Sequence, residues 1–470
     1  MKPASLLGLA LDLLRAMEAK GALPADARVG RFFRAKPFLG SHDRAFLGEV
    51  AYAWLRHSRR ARARWSAWAS RRGLEGEERT GQLLEDLVAL ARDRLLPWSL
   101  IETLAAAREH LLGAAGPEAL PRATESLLEL VLASPERTLD FLPEDCWPPD
   151  AFAARLSLPD WLARRLIAER GEAEARRLGE LLLEPASVDL RVSLRETSRE
   201  AVREELERET GIPIEPTPFS PLGLRLQKRK NLSGTTARRK GWIEVEDEGS
   251  QIIALSLDLC GAAVVVDACA GAGGKTLAVA DILLGASGKD GSAPLGPRPG
   301  LLVIACDVAP SKLEELERRA KAAGVRRHIR IVPISADGAL PSGVLDADLV
   351  LVDAPCSGLG TLRRNPDLKL RHGHEDVTAF AALQRSILER FSGRVKPGGR
   401  LAYSTCSILR AENEDVALDF AAAHPEFKTC PSEWARAHLP PGCVQDGFVH
   451  LDPALTRTDG FFLALWKRQG

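Results

Sequence analysis

Ala262-Ala-Val-Val-Val-Asp-Ala-Cys-Ala-Gly-Ala-Gly-Gly-Lys-Thr276 is the stretch on which the fold reading turns. A short apolar run within residues 262–268 reads as a strand covered on both faces, and the glycines that follow read as a tight turn into a helix. A turn of this kind lets a ligand approach the backbone and offers it amides at a helix start. The phosphate-loop pattern G-x-x-x-x-G-K-[ST] fits Gly274-Lys-Thr276, but its first glycine falls on Cys269. The dinucleotide pattern G-x-G-x-x-G starts at Gly271 and Gly273 and ends on Thr276. Both fail by one position, which leaves a nucleoside triphosphate, a dinucleotide and S-adenosylmethionine as competing ligands.

Downstream, residues 301–307, 329–334, 347–354 and 400–406 are further short apolar runs, separated by helical patterns. Ser311-Lys-Leu-Glu314 reads as a capping box opening a helix that ends at Gly324. Alternation of this sort gives an α/β fold, a doubly wound parallel sheet with its site at the carboxyl ends of the strands. Three acids fall at successive strand ends: Asp307, Asp337 and Asp353. Asp307, at the end of the second strand, suits ribose hydroxyls. The fourth strand ends Asp353-Ala-Pro-Cys-Ser-Gly-Leu-Gly360 and the fifth ends Tyr403-Ser-Thr-Cys-Ser407. Neighbouring strand ends would bring Cys356 and Cys406 into one cleft.

Upstream, Leu6, Ala10, Leu13, Leu14 and Met17 form one apolar helical stripe, and Leu84, Leu87, Val88, Ala91 and Leu95 form another that Pro97 stops. Residues 1–150 therefore read as a small helical domain closed by the joint Cys146-Trp-Pro-Pro-Asp150. Residues 151–240 read as a compact α/β module: helical turns at 161–180, a strand at 188–194, a helix at 198–210 and a strand at 223–227. Residues 241–470 make the parallel-sheet domain, and residues 285–300 are a Gly/Pro-rich insertion in it.

Lys+Arg and Asp+Glu both number 64, so net charge excludes nothing, but the charge is unevenly placed. Residues 56–72 hold seven arginines and no acid, with Trp65 and Trp68 among them, and residues 225–240 hold seven basic residues and no acid. Such clusters suit phosphate. The eight cysteines include no C-x-x-C pair, which points to reduced thiols in the cytoplasm. His372 and His374 read as a solvated loop, so no metal is expected. Asp12 and Arg15 interrupt the apolar start of the chain, and no membrane span or secretory core is expected.

Residues 241–470 resemble the Sun-type RNA (cytosine-5)-methyltransferases. The resemblance rests on Asp247-Glu-Gly-Ser-Gln251, the loop 269–276, Asp307, Ala336-Asp-Gly338, residues 353–360 with Arg363, Arg364 and Pro366-Asp-Leu-Lys369, Ser404-Thr-Cys-Ser407 with Glu412-Asn-Glu414, and Asp459-Gly-Phe-Phe462. The amino-terminal segment is similar to the NusB-like RNA-binding helical domain of bacterial members, at Asp43-Arg-Ala-Phe-Leu47 and Tyr52-Ala-Trp-Leu-Arg56. Residues 151–240 look like their linking module, from Pro159-Asp-Trp161 to Leu190-Arg-Val192. Two departures stand out. The family loop usually reads Cys-Ala-Ala-Pro-Gly-Gly-Lys, where this chain has Gly271-Ala272 for Ala-Pro, and Ser193 stands where many members have Asn.

The resemblance implies a Rossmann-like S-adenosylmethionine-dependent methyltransferase sheet, preceded by an all-α NusB-like domain and a small α/β linking module. It implies methyl transfer to carbon 5 of a cytosine in RNA, most directly ribosomal RNA, with transfer RNA as the near alternative. It makes Cys406 the nucleophile and Cys356 the residue assisting release; DNA-type enzymes use the Pro-Cys cysteine instead. Asp353 would serve cytosine nitrogen 3. Cofactor contacts would come from Cys269, Ala270, Gly271, Ala272, Gly273, Gly274, Lys275, Asp307, Asp337 and Asp353. RNA phosphates would meet Arg56, Arg59, Arg60, Arg62, Arg64, Lys228, Arg229, Lys230, Arg238, Arg239 and Lys240. A monomer is expected. The competing classes are an RNA-binding assembly factor with an inactive sheet domain and a P-loop ATPase; the intact cysteines oppose the first, and Cys269 opposes the second.

Overall fold

In the computed structural model, residues 3–18, 23–71, 151–285 and 300–470 are described. The helical repeat expected at 84–95, the joint at 146–150 and residues 286–299 of the insertion lie outside them. The chain forms two compact units, Met1–Glu184 with Asn365–Gly373, and Pro185–Arg364 with His374–Gly470.

In the first unit, α1 (Pro3–Glu18), α2 (Ala25–Arg34) and α3 (Ser41–Arg71) enclose a core that includes Ala10, Leu13, Leu14, Met17, Phe32, Leu47, Val50 and Trp54. Of the stripe read from the sequence, Ala10, Leu13, Leu14 and Met17 are buried by α1. Then come α4 (Asp160–Arg170) and α5 (Glu172–Leu182). Residues 365–373 pack into the same unit. Asp367 Oδ2 accepts from the Ala25 amide at 3.1 Å, capping α2, and Lys369 Nζ donates to the Arg56 carbonyl at 2.8 Å.

The second unit opens with a small antiparallel sheet of β1 (Val188–Val192), β2 (Ile214–Pro216), β3 (Gly223–Leu226) and β4 (Ile243–Val245), in the order β2-β3-β1-β4. Helix α6 (Arg199–Thr210) packs on it through Val202 and Leu206, with Ser198 as a side-chain N-cap and Gly211, at φ +68°, closing its end. Two of these strands, β2 and β4, were not among the expected elements: at three residues each they are too short to show a period.

After α7 (Glu248–Leu255) the large sheet begins. Its parallel part is β5 (Val264–Asp267), β6 (Leu302–Asp307), β7 (Ile329–Pro333), β8 (Ala347–Asp353) and β9 (Val395–Thr405), with α8 (Gly274–Leu284), α9 (Pro310–Ala322) and α10 (His374–Ser392) between strands. Strand order is β7-β6-β5-β8-β9, so the order reverses between β5 and β8. Past α11 (Glu414–Ala423), an antiparallel extension adds β10 (Phe427–Thr429), β11 (Val444–Gln445), β12 (Phe448–Leu451) and β13 (Phe461–Arg468), with β13 alongside β9. Alternate residues of each strand feed opposite cores. Val265, Val303, Leu349 and Ala402 meet α7, α8 and α9; Val266, Ile304, Val350 and Tyr403 meet α10 and α11. Both faces are therefore apolar, and the strands read as continuous apolar runs.

One helix start differs from expectation. Ser311 lies inside α9, which begins at Pro310 with Ala309 at the cap and no side-chain cap bond. Proline supplies a preset φ and lacks the amide that a capping box would satisfy. Gly324, at φ +70°, ends the segment as expected.

Arg191 joins the two sheets of this unit. Its side chain is 1% exposed; Nε donates to Glu246 Oε2 at 2.7 Å, and Nη1 donates to Asp281 on α8. Ser193 Oγ, at the position that departs from the family, also reaches Asp281, at 3.0 Å. Arg191→Ala would leave two buried carboxylates short of their counter-charge, and should cost about 3–5 kcal/mol in urea denaturation. A loss below about 1 kcal/mol, the range of surface changes, would contradict this.

Candidate active site

The glycine turn hangs from the end of β5. The Ala268 amide donates to Leu351 O and the Ala270 amide to Cys306 O, both at 2.8 Å, so the turn sits between the ends of β8 and β6. Asp267, 2% exposed, accepts from Thr276 Oγ1 at 2.6 Å and from the Cys269 amide at 3.3 Å, locking the turn to the first residues of α8. Burial pushes the Asp267 carboxyl up to about 7 and the Cys269 thiol well above its usual range. Gly271 and Gly273 have φ of +53° and +90°. A Cβ on Gly273 would stand 2.8 Å from Leu316, whereas one on Gly271 or Gly274 would meet nothing within 4 Å. The turn thus presents backbone to open space, the cradle a nucleoside ligand needs.

Asp307 aims at this turn. Oδ2 accepts the Gly271 amide and Oδ1 the Ala309 amide, each at 2.8 Å. A carboxylate has about four lone-pair positions, so capacity remains for ribose hydroxyls. Its first task, which the sequence did not disclose, is to hold the turn. Arg319 does the same from α9, donating through Nη1 to Ala272 O at 2.6 Å while Nη2 pairs with Glu244 at 3.1 Å. Asp337 is exposed on the loop after β7.

Parallel β8 and β9 put Asp353 opposite Ser404. Beyond the strands, Cys356 Sγ and Cys406 Sγ come within 3.3 Å. Gly360 closes the loop: its amide donates to Cys406 O at 2.9 Å, and a Cβ there would lie 2.3 Å from Gly460 O. The Cys356 thiol is pushed up, first by its hydrogen bond with Cys406 and then by burial and by the charges of Cys406 and Glu412. Lys275 Nζ reaches Asp353 Oδ2 at 2.8 Å and lies 5.1 Å from the centre of the Phe461 ring. Burial works against the Lys275 charge, but Asp353 outweighs it and Cys406 adds to the same effect, so the ammonium is held. Lys275, expected among the cofactor contacts, is thus ion-paired with Asp353 at the end of β8.

The basic clusters divide. Arg56, expected to meet RNA phosphate, is instead buried at 8% exposure beside His57, whose ring burial depresses to about 3. Arg59 is committed to Asp160 at 2.5 Å and to Leu158 O, and Arg60 is half-buried. The side chains of Arg62, Arg64, Trp65 and Trp68 lie outside the described residues. Lys228, Arg229 and Lys230 are exposed beyond β3. Arg238 pairs with Glu244 at 3.0 Å, Arg239 donates to Thr236 Oγ1 at 3.0 Å, and Lys240 lies over the Trp242 ring at 4.2 Å. Among the described residues no group of three or more His, Cys, Asp or Glu side chains could hold a metal, and no helix is long and apolar enough to cross a membrane.

A family model described as "16S rRNA methyltransferase RsmB/F" matches residues 254–467, and one described as "Methyltr_RsmF/B-like, ferredoxin-like domain" matches residues 158–233. The probable ribosomal RNA small subunit methyltransferase B of Bacillus subtilis is 30% identical over 330 residues, covering 69% of each chain. The protein of the same description from Synechocystis is 32% identical over 313 residues, covering 66% of this chain and 67% of its own. Among solved structures, PH0851 superposes over 100% of this chain and 99% of its own, with a TM-score of 0.71 at 23% identity. NSun6 from Pyrococcus horikoshii with SFG matches 66% of this chain and 98% of its own, with a TM-score of 0.55 at 21% identity. At these identities the two structures share the fold.

The raised Asp267 carboxyl has a pH consequence. A carboxyl whose folded pKa lies near 7 rather than 3.8 favours folding while protonated, and that contribution is lost as pH rises from about 4 through 7. Asp267→Asn removes the titration. Its unfolding free energy should gain on the wild type over that window by at most about 1.4 kcal/mol per pH unit. Parallel stability curves for the two proteins would contradict this.

Proposed function

The chain belongs to the 16S rRNA methyltransferase RsmB/F family, and we propose that it transfers a methyl group from S-adenosylmethionine to carbon 5 of a cytosine in small-subunit ribosomal RNA through a covalent adduct on Cys406. The observation that carries this reading is the pair of thiols 3.3 Å apart beyond the ends of adjacent parallel strands, on the same sheet as the Lys275–Asp353 ion pair and the open glycine turn. The turn 269–275 with Asp307, Asp337 and Asp353 would hold the cofactor, and the open backbone at Gly271 and Gly274 fits that role. When bound, S-adenosylmethionine supplies an electrophilic methyl group on a sulfonium.

Carbon 5 of cytosine is a poor nucleophile until a thiol adds across the ring, sulfur to carbon 6 and proton to nitrogen 3. A free cysteine has a pKa of about 8.5, so the attacking thiolate needs local stabilisation. Asp353, at the end of β8, carries the proton to nitrogen 3 and holds it there, leaving carbon 5 enamine-like. After methylation the carbon 5 proton must leave, the carbon 6–sulfur electron pair returns to Cys406, and nitrogen 3 gives back its proton by way of Asp353. Cys356 assists this release, its sulfur 3.3 Å from that of Cys406.

The three-segment division, 1–150, 151–240 and 241–470, is retained, with the amino-terminal helices as a NusB-like RNA-binding part. The reading includes a monomer acting in the cytoplasm. Lys228, Arg229 and Lys230 form the exposed run best suited to phosphate. The target base has to leave its stack to reach the thiols.

Two experiments test the assignment. Cys356→Ala, incubated with substrate RNA and S-adenosylmethionine, should accumulate a retarded, nuclease-sensitive band on a denaturing gel; Cys406→Ala and the double variant should give neither band nor product. A trapped band from Cys406→Ala would reverse the two roles, and full activity of both variants would sink the covalent mechanism. Asp307→Ala should weaken S-adenosylmethionine binding by calorimetry, roughly ten- to a hundredfold for the loss of a charged hydrogen-bonding partner that also holds the turn. Unchanged affinity would remove Asp307 from the cofactor site.

A further inference from the structure

Each of the two cysteines is followed by a serine, and both serines turn to the same carboxylate. Glu412 is 0% exposed, in the short turn Arg410–Glu412 between β9 and α11. Its Oε1 accepts from the Ser357 amide at 2.7 Å. Its Oε2 accepts from Ser357 Oγ and from Ser407 Oγ, each at 2.6 Å. Gln384 Nε2 reaches Oε1 at 3.4 Å while donating to Pro355 O at 3.0 Å, and the Tyr403 hydroxyl lies 3.0 Å from Gln384 Oε1. Asn413 continues the clamp: Nδ2 donates to Ser407 O at 3.1 Å, and Oδ1 accepts from Thr405 Oγ1 at 2.5 Å.

Among the described residues every donor to the Glu412 carboxylate is neutral: one amide, two hydroxyls and a carboxamide. A carboxylate buried without a cation is costly, and packing alone would favour an apolar side chain here. What this one accomplishes is a bridge between two turns 50 residues apart in sequence, each one residue beyond a thiol. A carboxylate suits that bridge because both its oxygens accept in a plane. Glutamine keeps one accepting oxygen and turns the other into a donor.

We propose that Glu412 is a positioning residue that sets the separation of the two thiols by holding Ser357 and Ser407 on one carboxylate. The catalytic consequence rests on the function proposed above: with the turns unclamped, Cys406 still attacks, but Cys356 is no longer placed to assist release. Release then fails although both cysteines are present.

The test uses the full chain and two readouts. The first needs neither RNA nor cofactor: diamide, which takes two electrons and two protons from a thiol pair, is added and the Cys356–Cys406 disulfide is quantified by peptide mass mapping. Glu412→Gln should form this disulfide roughly ten- to a hundredfold more slowly than the wild type, the scale expected when reacting atoms are misplaced by about an ångström. The second readout is the denaturing gel with RNA and S-adenosylmethionine, where Glu412→Gln should accumulate the covalent band with both cysteines intact. Ser357→Ala combined with Ser407→Ala loosens the clamp from the other side and should reproduce both effects, which keeps the test decisive if Glu412→Gln does not fold. An unchanged cross-linking rate in a folded variant overturns the proposal. Slowed cross-linking with no covalent band even from Cys356→Ala leaves the positioning role standing and refutes the covalent chemistry instead.

Discussion

Parallel pairing of β8 with β9 continues past the strands themselves. Asp353 stands opposite Ser404, the Ala354 amide donates to Ser404 O at 2.8 Å, and the Gly360 amide donates to Cys406 O at 2.9 Å. That continuation is what the candidate site depends on, because it keeps two irregular loops in step over the distance at which their thiols meet. Both faces of the strands are covered by helices, so a slip of one residue would exchange their apolar faces and carry both thiols out of line. On the outer side, β13 pairs antiparallel with β9, and Gly460 comes close enough to Gly360 that neither position has room for a side chain. The antiparallel extension therefore braces the edge that carries the two thiols.

The glycine turn illustrates how a loop can lose a rigid residue and stay defined. Where the resembling family has Ala-Pro, this chain has Gly271-Ala272, a pair with more backbone freedom. The Asp307 carboxylate takes the Gly271 amide and the Arg319 guanidinium takes the Ala272 carbonyl. Arg319 is itself held by Glu244, which also pairs with Arg238. Together with Arg191 and Arg195 on Asp281, this gives the small sheet a set of charged ties to the helices that flank the turn. Cofactor loop and small sheet are thus mechanically linked within one unit.

Much of this was legible in the linear sequence, for identifiable reasons. Parallel strands buried on both faces leave unbroken apolar runs, so the five parallel strands could be read within a few residues. Glycine turns and strand-end acids occur at fixed offsets from those runs, so the cofactor turn, Asp307, Asp353 and both cysteines could be named. Two readings failed, one by a competing local signal and one by helix orientation. The capping box at Ser311 was a pattern match overridden by Pro310 at the first helical position. Arg56 belonged to a run of arginines, but helical geometry turns successive residues to different sides, and this one went inward.

Composition, period and motif spacing determined the class of fold and the succession of strands and helices along the chain, because each of those leaves a mark within a window of ten or twenty residues. Only tertiary structure decided that the two sulfurs lie 3.3 Å apart, that Lys275 pairs with Asp353, and that Glu412 bridges the serines after both cysteines. Each of those contacts joins segments that are separate in sequence. Their distance is set by strand register and by buried hydrogen bonds between loops, and neither is encoded in any single stretch of the chain.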